Sequence, residues 1–132
     1  NIERDDNLKE KILYQDFENS VKKSKIYFSY DPQMDGVEVL TAGTLVQILG
    51  TSNVGIYKIP VIMSVSKQSD NPDFQLITCN DATDSIGVIE MRYGNPRIYI
   101  ESDCVVVQGQ NREEFINTND LLSYILLGVI EE

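Results

Sequence analysis

Along the chain the spacing of hydrophobic and polar positions changes several times, and each change predicts an element. Asn7-Leu8-Lys9-Glu10 has the form of a capping box, with Asn as cap and Glu three residues later. Beyond it Leu13, Tyr14, Phe17 and Val21 fall on one seam at helical spacing, within about 100° of one another. Leu8 and Ile12 lie off that seam, and Glu18 and Lys22 stand in the favourable i,i+4 order. This pattern predicts a helix over 7–24. Ile26–Tyr30 alternates and predicts a short strand, which Asp31-Pro32 ends because the proline ring pushes Asp31 towards extended geometry. Residues 36–49 carry two patterns. Val37, Leu40, Thr44, Leu45 and Ile48 share a helical face behind Asp35, whereas Val37, Val39, Thr41 and then Thr44, Val46, Ile48 alternate around Ala42-Gly43 as in a hairpin. The cap and the leucines favour the helix, which is the reading taken.

The second half is richer in strand signals. Tyr57, Ile59, Val61, Met63 and Val65 form one apolar face of a long half-buried strand, and Pro60 places it at an edge or a bulge. Ser69–Pro72 predicts a turn, Phe74–Cys79 a second strand and Asn80–Ser85 a polar loop. Ile86–Tyr93 and Arg97–Glu101 flank Gly94-Asn95-Pro96 and predict a hairpin. Cys104–Gln108, with three successive valines, predicts a strand buried on both faces. A final helix is expected from Thr118 or Asn119. There Leu121, Leu122, Ile125, Leu126 and Val129 span an arc of about 140°, with Tyr124, Leu127 and Ile130 outside it. The expected fold is therefore a single α+β domain over 1–132: an antiparallel meander of about five strands with N-terminal and C-terminal helices packed on it.

Composition narrows the chemistry. The chain has 132 residues, 42% of them hydrophobic, enough for a core without help from metal or disulfides. It has no histidine, which removes the usual general base and the commonest transition-metal ligand. Cys79 and Cys104 sit in strand-like runs and read as free, buried thiols in a reducing, cytoplasmic interior, with a disulfide or a reactive thiol as the alternative. Residues 1–25 hold six acids and six bases, so the net charge of −10 resides in the remainder. That charge disfavours nucleic acid and anionic membrane surfaces as partners. Lys22-Lys23-Ser24-Lys25 reads as the basic end of the first helix. Residues 1–25 show no apolar stretch behind a basic start, so no secretory leader is expected in them. The richest apolar stretch, Leu121–Ile130, is too short to span a bilayer.

Four constellations stand out. Gly50-Thr51-Ser52-Asn53-Val54-Gly55 is similar to the phosphate-binding loop of P-loop GTPases, but Ile56 and Tyr57 follow where that family has Lys and Ser or Thr. No nucleotide-binding residue carries over. Pro72-Asp73, followed seventeen residues later by Glu90-Met91-Arg92, is similar to the acidic motif of PD-(D/E)xK nucleases. That resemblance implies two carboxylates on Mg²⁺, but Arg92 stands where the family has a deprotonatable Lys. Otherwise Glu90 and Arg92 are a pair on a strand's solvent face. Asp70, Asp73, Asp81 and Asp84 are oxygen-rich but lack the spacing of an EF-hand loop, and read as turn residues. Tyr27, Tyr57, Tyr93 and Tyr99, all at strand positions, could line an apolar pocket.

No catalytic residue, cofactor or metal is assigned on these grounds. The expected function is a non-enzymatic interaction or regulatory module that binds a protein partner or a second copy of itself. Its interface candidates are the apolar surplus of the last helix: Leu121, Leu122, Ile125, Leu126, Leu127, Val129 and Ile130. A small-molecule binding domain is the alternative, and a divalent-metal nuclease using Asp73 and Glu90 the third.

Overall fold

In the computed structural model, which describes residues 2–34, 59–68 and 73–128, the chain opens with strand β1 (Glu3–Arg4) and helix α1 (Leu8–Leu13). A small hairpin follows, β2 (Tyr14–Asp16) with β3 (Val21–Lys22), and then β4 (Lys25–Tyr30). After β5 (Val61–Val65) come a 3₁₀ turn, Cys79–Asp81, and the strands β6 (Ile86–Tyr93), β7 (Arg97–Glu101) and β8 (Cys104–Gly109). Helix α2 (Arg112–Leu126) closes the described chain. Among the described residues six strands form one sheet in the order β1-β7-β8-β6-β4-β5, and β2 and β3 form a second.

The sheet is mixed and mostly parallel, which corrects the expected antiparallel meander. β5, β4, β6 and β8 run parallel to one another, β7 is antiparallel to β8, and β1 pairs parallel with β7. The expected hairpin of β6 with β7 is absent, because β8 inserts between them. The tight connection is instead Ser102-Asp103 between β7 and β8, where Ser102 takes a positive φ of 55°. The reason lies in burial. Central strands here are apolar on both sides, as in the buried runs Ile26–Tyr30 and Cys104–Val107, and parallel sheets require cover on both faces.

One face carries the main core. Ile26, Phe28, Ile89, Met91, Ile98, Val105 and Val107 meet Leu8, Ile12 and Leu13 of α1 and Phe115, Leu122, Ile125 and Leu126 of α2. α1 sits so close to β6 that a methyl group on Gly87 would stand 2.8 Å from the Ile12 carbonyl oxygen. The other face holds a smaller cluster, Tyr27, Val88, Cys104 and Val106, covered by Ile77, Cys79 and Ala82.

Several boundaries move. The helix expected over 7–24 stops at Leu13; Leu8 and Ile12, placed off its seam, are buried together with Leu13, while Phe17 and Val21 of the seam are exposed. Asp16 diverts the chain: its carboxylate accepts from the Asn19 backbone at 3.2 Å and the Asn19 side chain at 2.7 Å, and Ser20 takes a φ of 56°. Asn7 makes no side-chain cap. Phe74–Cys79 is not a strand; only Leu76 bridges to Val65. α2 starts six residues before Thr118, capped by Asn111, whose Oδ1 accepts from Glu114 N at 3.0 Å while Glu114 Oε1 accepts from Gln110 N at 2.9 Å. β5 lies at the sheet edge, immediately after Pro60. Cys79 and Cys104 are joined in a disulfide, which corrects the reading of two free thiols. The helix-or-hairpin segment 36–49 and the glycine-bounded loop 50–55 lie outside the described residues.

Candidate functional site

Residue alternation sorts the sheet into an apolar face and a face on which polar side chains gather. The register sets Ser29 beside Ser64 and Glu90, Glu90 beside Val106, and Arg92 beside Gln108. On the other side of β8, Tyr99 stands beside Val106 and Glu101 beside Cys104. All of these project to the same side, the one covered by the excursion through the Cys79–Asp81 turn.

Arg92 is the centre of this face. Its Nε donates to Glu90 Oε2, and its two terminal nitrogens take Glu101 in a fork, at 3.0 Å to Oε1 and 2.8 Å to Oε2. The same two nitrogens reach the Tyr99 hydroxyl and Cys79 Sγ, each at 3.4 Å. A guanidinium has five N–H donors, and here all five have partners. Glu90, 6% exposed, accepts from the Cys79 backbone N–H at 2.9 Å through its other oxygen. The hydrogen bonds from Arg92 hold the Glu101 carboxyl below the usual glutamate range, and Glu101 in turn pushes the guanidinium further up.

Beside this network a cleft of about 550 Å³ opens at the carboxyl ends of three parallel strands. β4 contributes Asp31 and Met34 just past its end, β5 contributes Ser66 and Lys67, and β6 contributes Glu90, Met91, Arg92 and Tyr93. Thr78, Cys79 and Asn80 form its wall, and Glu101 stands at its margin. Asp31 is fixed by two contacts: Oδ1 accepts from Gln33 N at 2.9 Å, and Oδ2 pairs with Lys67 Nζ at 3.1 Å. The wall is preformed, since Thr78 and Asp81 make a reciprocal capping box around the turn.

The place matters as much as the lining. Among the described strands, β4 is followed by β5, on one side, whereas β6 is followed in the parallel set by β8, on the other. The β4–β6 boundary is therefore the point where the direction of winding reverses, and open sheets offer a crevice outside the carboxyl ends of their strands there.

Glu90 and Arg92, expected as a pair on a strand's solvent face, do pair, but Glu90 is buried. Asp73 is an exposed turn residue and is not among those lining the cleft, so the two carboxylates of the nuclease-like motif do not share it. Among the described residues no three His, Cys, Asp or Glu side chains group as metal ligands. Of the four tyrosines, Tyr27 is buried, Tyr93 lines the cleft, Tyr99 joins the Arg92 network, and Tyr57 lies outside the described residues. Of the interface candidates on α2, Leu122, Ile125 and Leu126 are buried in the chain's own core, and Leu121 and Leu127 are half-buried. Val129 and Ile130 lie outside the described residues. Lys67, Thr78, Asn80 and Glu101 were not anticipated; the only available signal was the Ser/Thr-x-x-Asp/Glu spacing of Thr78 and Asp81.

No family model matches this chain, and neither a curated protein nor a solved structure matches it. No helix of the described residues is long and apolar enough to cross a membrane.

Proposed function

We propose that this protein is a non-enzymatic binding domain that takes a small polar molecule, neutral or cationic, in the cleft at the carboxyl ends of β4, β5 and β6. The observation that carries this reading is the position of a 550 Å³ polar cleft at the winding reversal of a largely parallel sheet. Its lining supports the charge preference. Three carboxylates, Asp31, Glu90 and Glu101, face two cations, and both Lys67 and Arg92 are already engaged by those carboxylates. No guanidinium donor is left for an incoming anion, while carboxylate and hydroxyl oxygens remain as acceptors. The net charge of −10 adds long-range repulsion of anions.

The expected apolar pocket thus becomes a polar cleft. Self-association through α2 receives less support, because four of the seven candidate residues, Leu121, Leu122, Ile125 and Leu126, pack within the chain. A bridged cysteine pair also fits an oxidising compartment, or a redox-cycled protein in the cytoplasm, better than a passively reduced one.

Two-dimensional amide NMR during titration with small amines, polyols, nucleosides and carboxylates tests the proposal. The expected result is shifts confined to Lys67, Asn80 and Glu90–Tyr93, produced by neutral or cationic compounds and not by the carboxylates. If no compound moves those amides at millimolar concentration, the cleft is not a binding site.

A further inference from the structure

We infer that Cys79 and Cys104 form a reversible dithiol–disulfide couple whose exchange partner enters through the cleft, with Cys79 as the attacked sulfur and a dithiol as the reductant. This does not depend on the cleft binding any other ligand.

The two sulfurs are placed unequally. Cys104 opens β8 and is fully buried between the sheet and its covering turn, whereas Cys79 is half-buried and lines the cleft. Exchange requires a thiolate to reach a disulfide sulfur along an open path. Only Cys79 offers one. Its sulfur already accepts from Arg92 Nη2 at 3.4 Å, so a thiolate released there faces a fixed cation, shared with Glu90 and Glu101.

Reduction also leaves the fold other anchors. The Cys79–Asp81 turn keeps its capping box, the Cys79 N–H stays on Glu90, and Lys23 Nζ holds the Thr83 carbonyl at 2.8 Å. The main core lies on the opposite face of the sheet and contains neither cysteine. Opening the bridge therefore removes one covalent tie from the wall of the cleft without dismantling the domain.

One thiolate of the reductant attacks Cys79 Sγ and forms a mixed disulfide, the Cys79–Cys104 bond breaks, and its electron pair leaves on Cys104, which takes a proton. The reductant's second thiolate then attacks its own bonded sulfur and expels Cys79 as a thiolate. Two electrons reach the protein, and the reductant departs as a disulfide.

The test is the rate at which dithiothreitol reduces the oxidised wild-type protein, measured against urea below the unfolding transition. Exchange through the cleft predicts a rate that changes by less than about twofold over that range, because no unfolding is needed. A bridge reached only from the unfolded chain would instead be reduced about tenfold faster per molar urea, in step with the unfolded population, and that result would overturn the inference. The single-thiol variants locate the attacked sulfur. In folded protein, Cys79 of Cys104→Ser should react with an aryl disulfide about tenfold or more faster than Cys104 of Cys79→Ser. Equal rates in two folded variants, or a faster Cys104, would refute the assignment; should either variant not fold, the urea series on the wild-type chain decides.

Discussion

Arg92 shows how much one side chain can organise. It ties a buried carboxylate, a half-exposed carboxylate, a phenol and a sulfur into one planar set, which a point-charge ammonium could not reproduce. Removing it leaves Glu90 buried without its ion partner. Arg92→Gln should therefore lower stability by about 3 kcal/mol, read from the urea midpoint, and Arg92→Lys should restore only part of it. Glu101 is the weaker partner because nearly half of its side chain meets water. Its depressed pKa gives the sign of a pH effect: the pair adds stability above the ordinary glutamate value, and that contribution disappears as pH falls through the lower folded value. Urea unfolding at a series of pH values should show a flatter acid limb for Glu101→Gln than for the parent. At this scale the sequence revealed the Glu90–Arg92 pair, two residues apart on a strand. It did not reveal their burial, which depends on the separate excursion through Cys79 lying over that face.

Elements were legible where local chemistry and long-range packing agree. Arg97–Glu101 and Ile86–Tyr93 appear with the bounds that the turn residues between them imply, and of the two readings of Pro60, edge or bulge, the edge holds among the described strands. Where they conflict, the local pattern misled. The seam of Leu13, Tyr14, Phe17 and Val21 looks helical, yet Asp16 and Asn19 close a side-chain turn that a helix would have to break. The start of α2 was hidden for a different reason: its first two turns, Arg112–Asn119, are mostly polar, so apolar periodicity begins late. The true signal was Asn111 with Glu114 three residues on. Asn111→Ala should cost about 1 kcal/mol and fray the first turn, measurable as faster amide exchange at Glu113 and Glu114. The cysteine pairing was not legible at all, since nothing in two residues 25 apart says that one lies in a turn above the other's strand.

The largest difference concerns the whole molecule. A polar connection at Gly94–Pro96 suggests neighbours in sequence pairing as neighbours in space, but β8 takes that place beside β6 and the sheet becomes mostly parallel. The apolar character of Ile26–Tyr30 and Cys104–Val107 already carried the information that both faces are covered; strand order did not follow from it. That order is what creates a winding reversal between β4 and β6, and with it the cleft at their carboxyl ends. The most direct test is crystallographic: a soak of small polar fragments, amines and polyols alongside carboxylates, followed by inspection of the bound positions. Binding in the cleft predicts amine or polyol density bounded by Asp31, Lys67, Asn80 and Glu90, with carboxylates absent from it. Fragments that cluster elsewhere while this cleft stays empty, or carboxylates that fill it, would contradict the account.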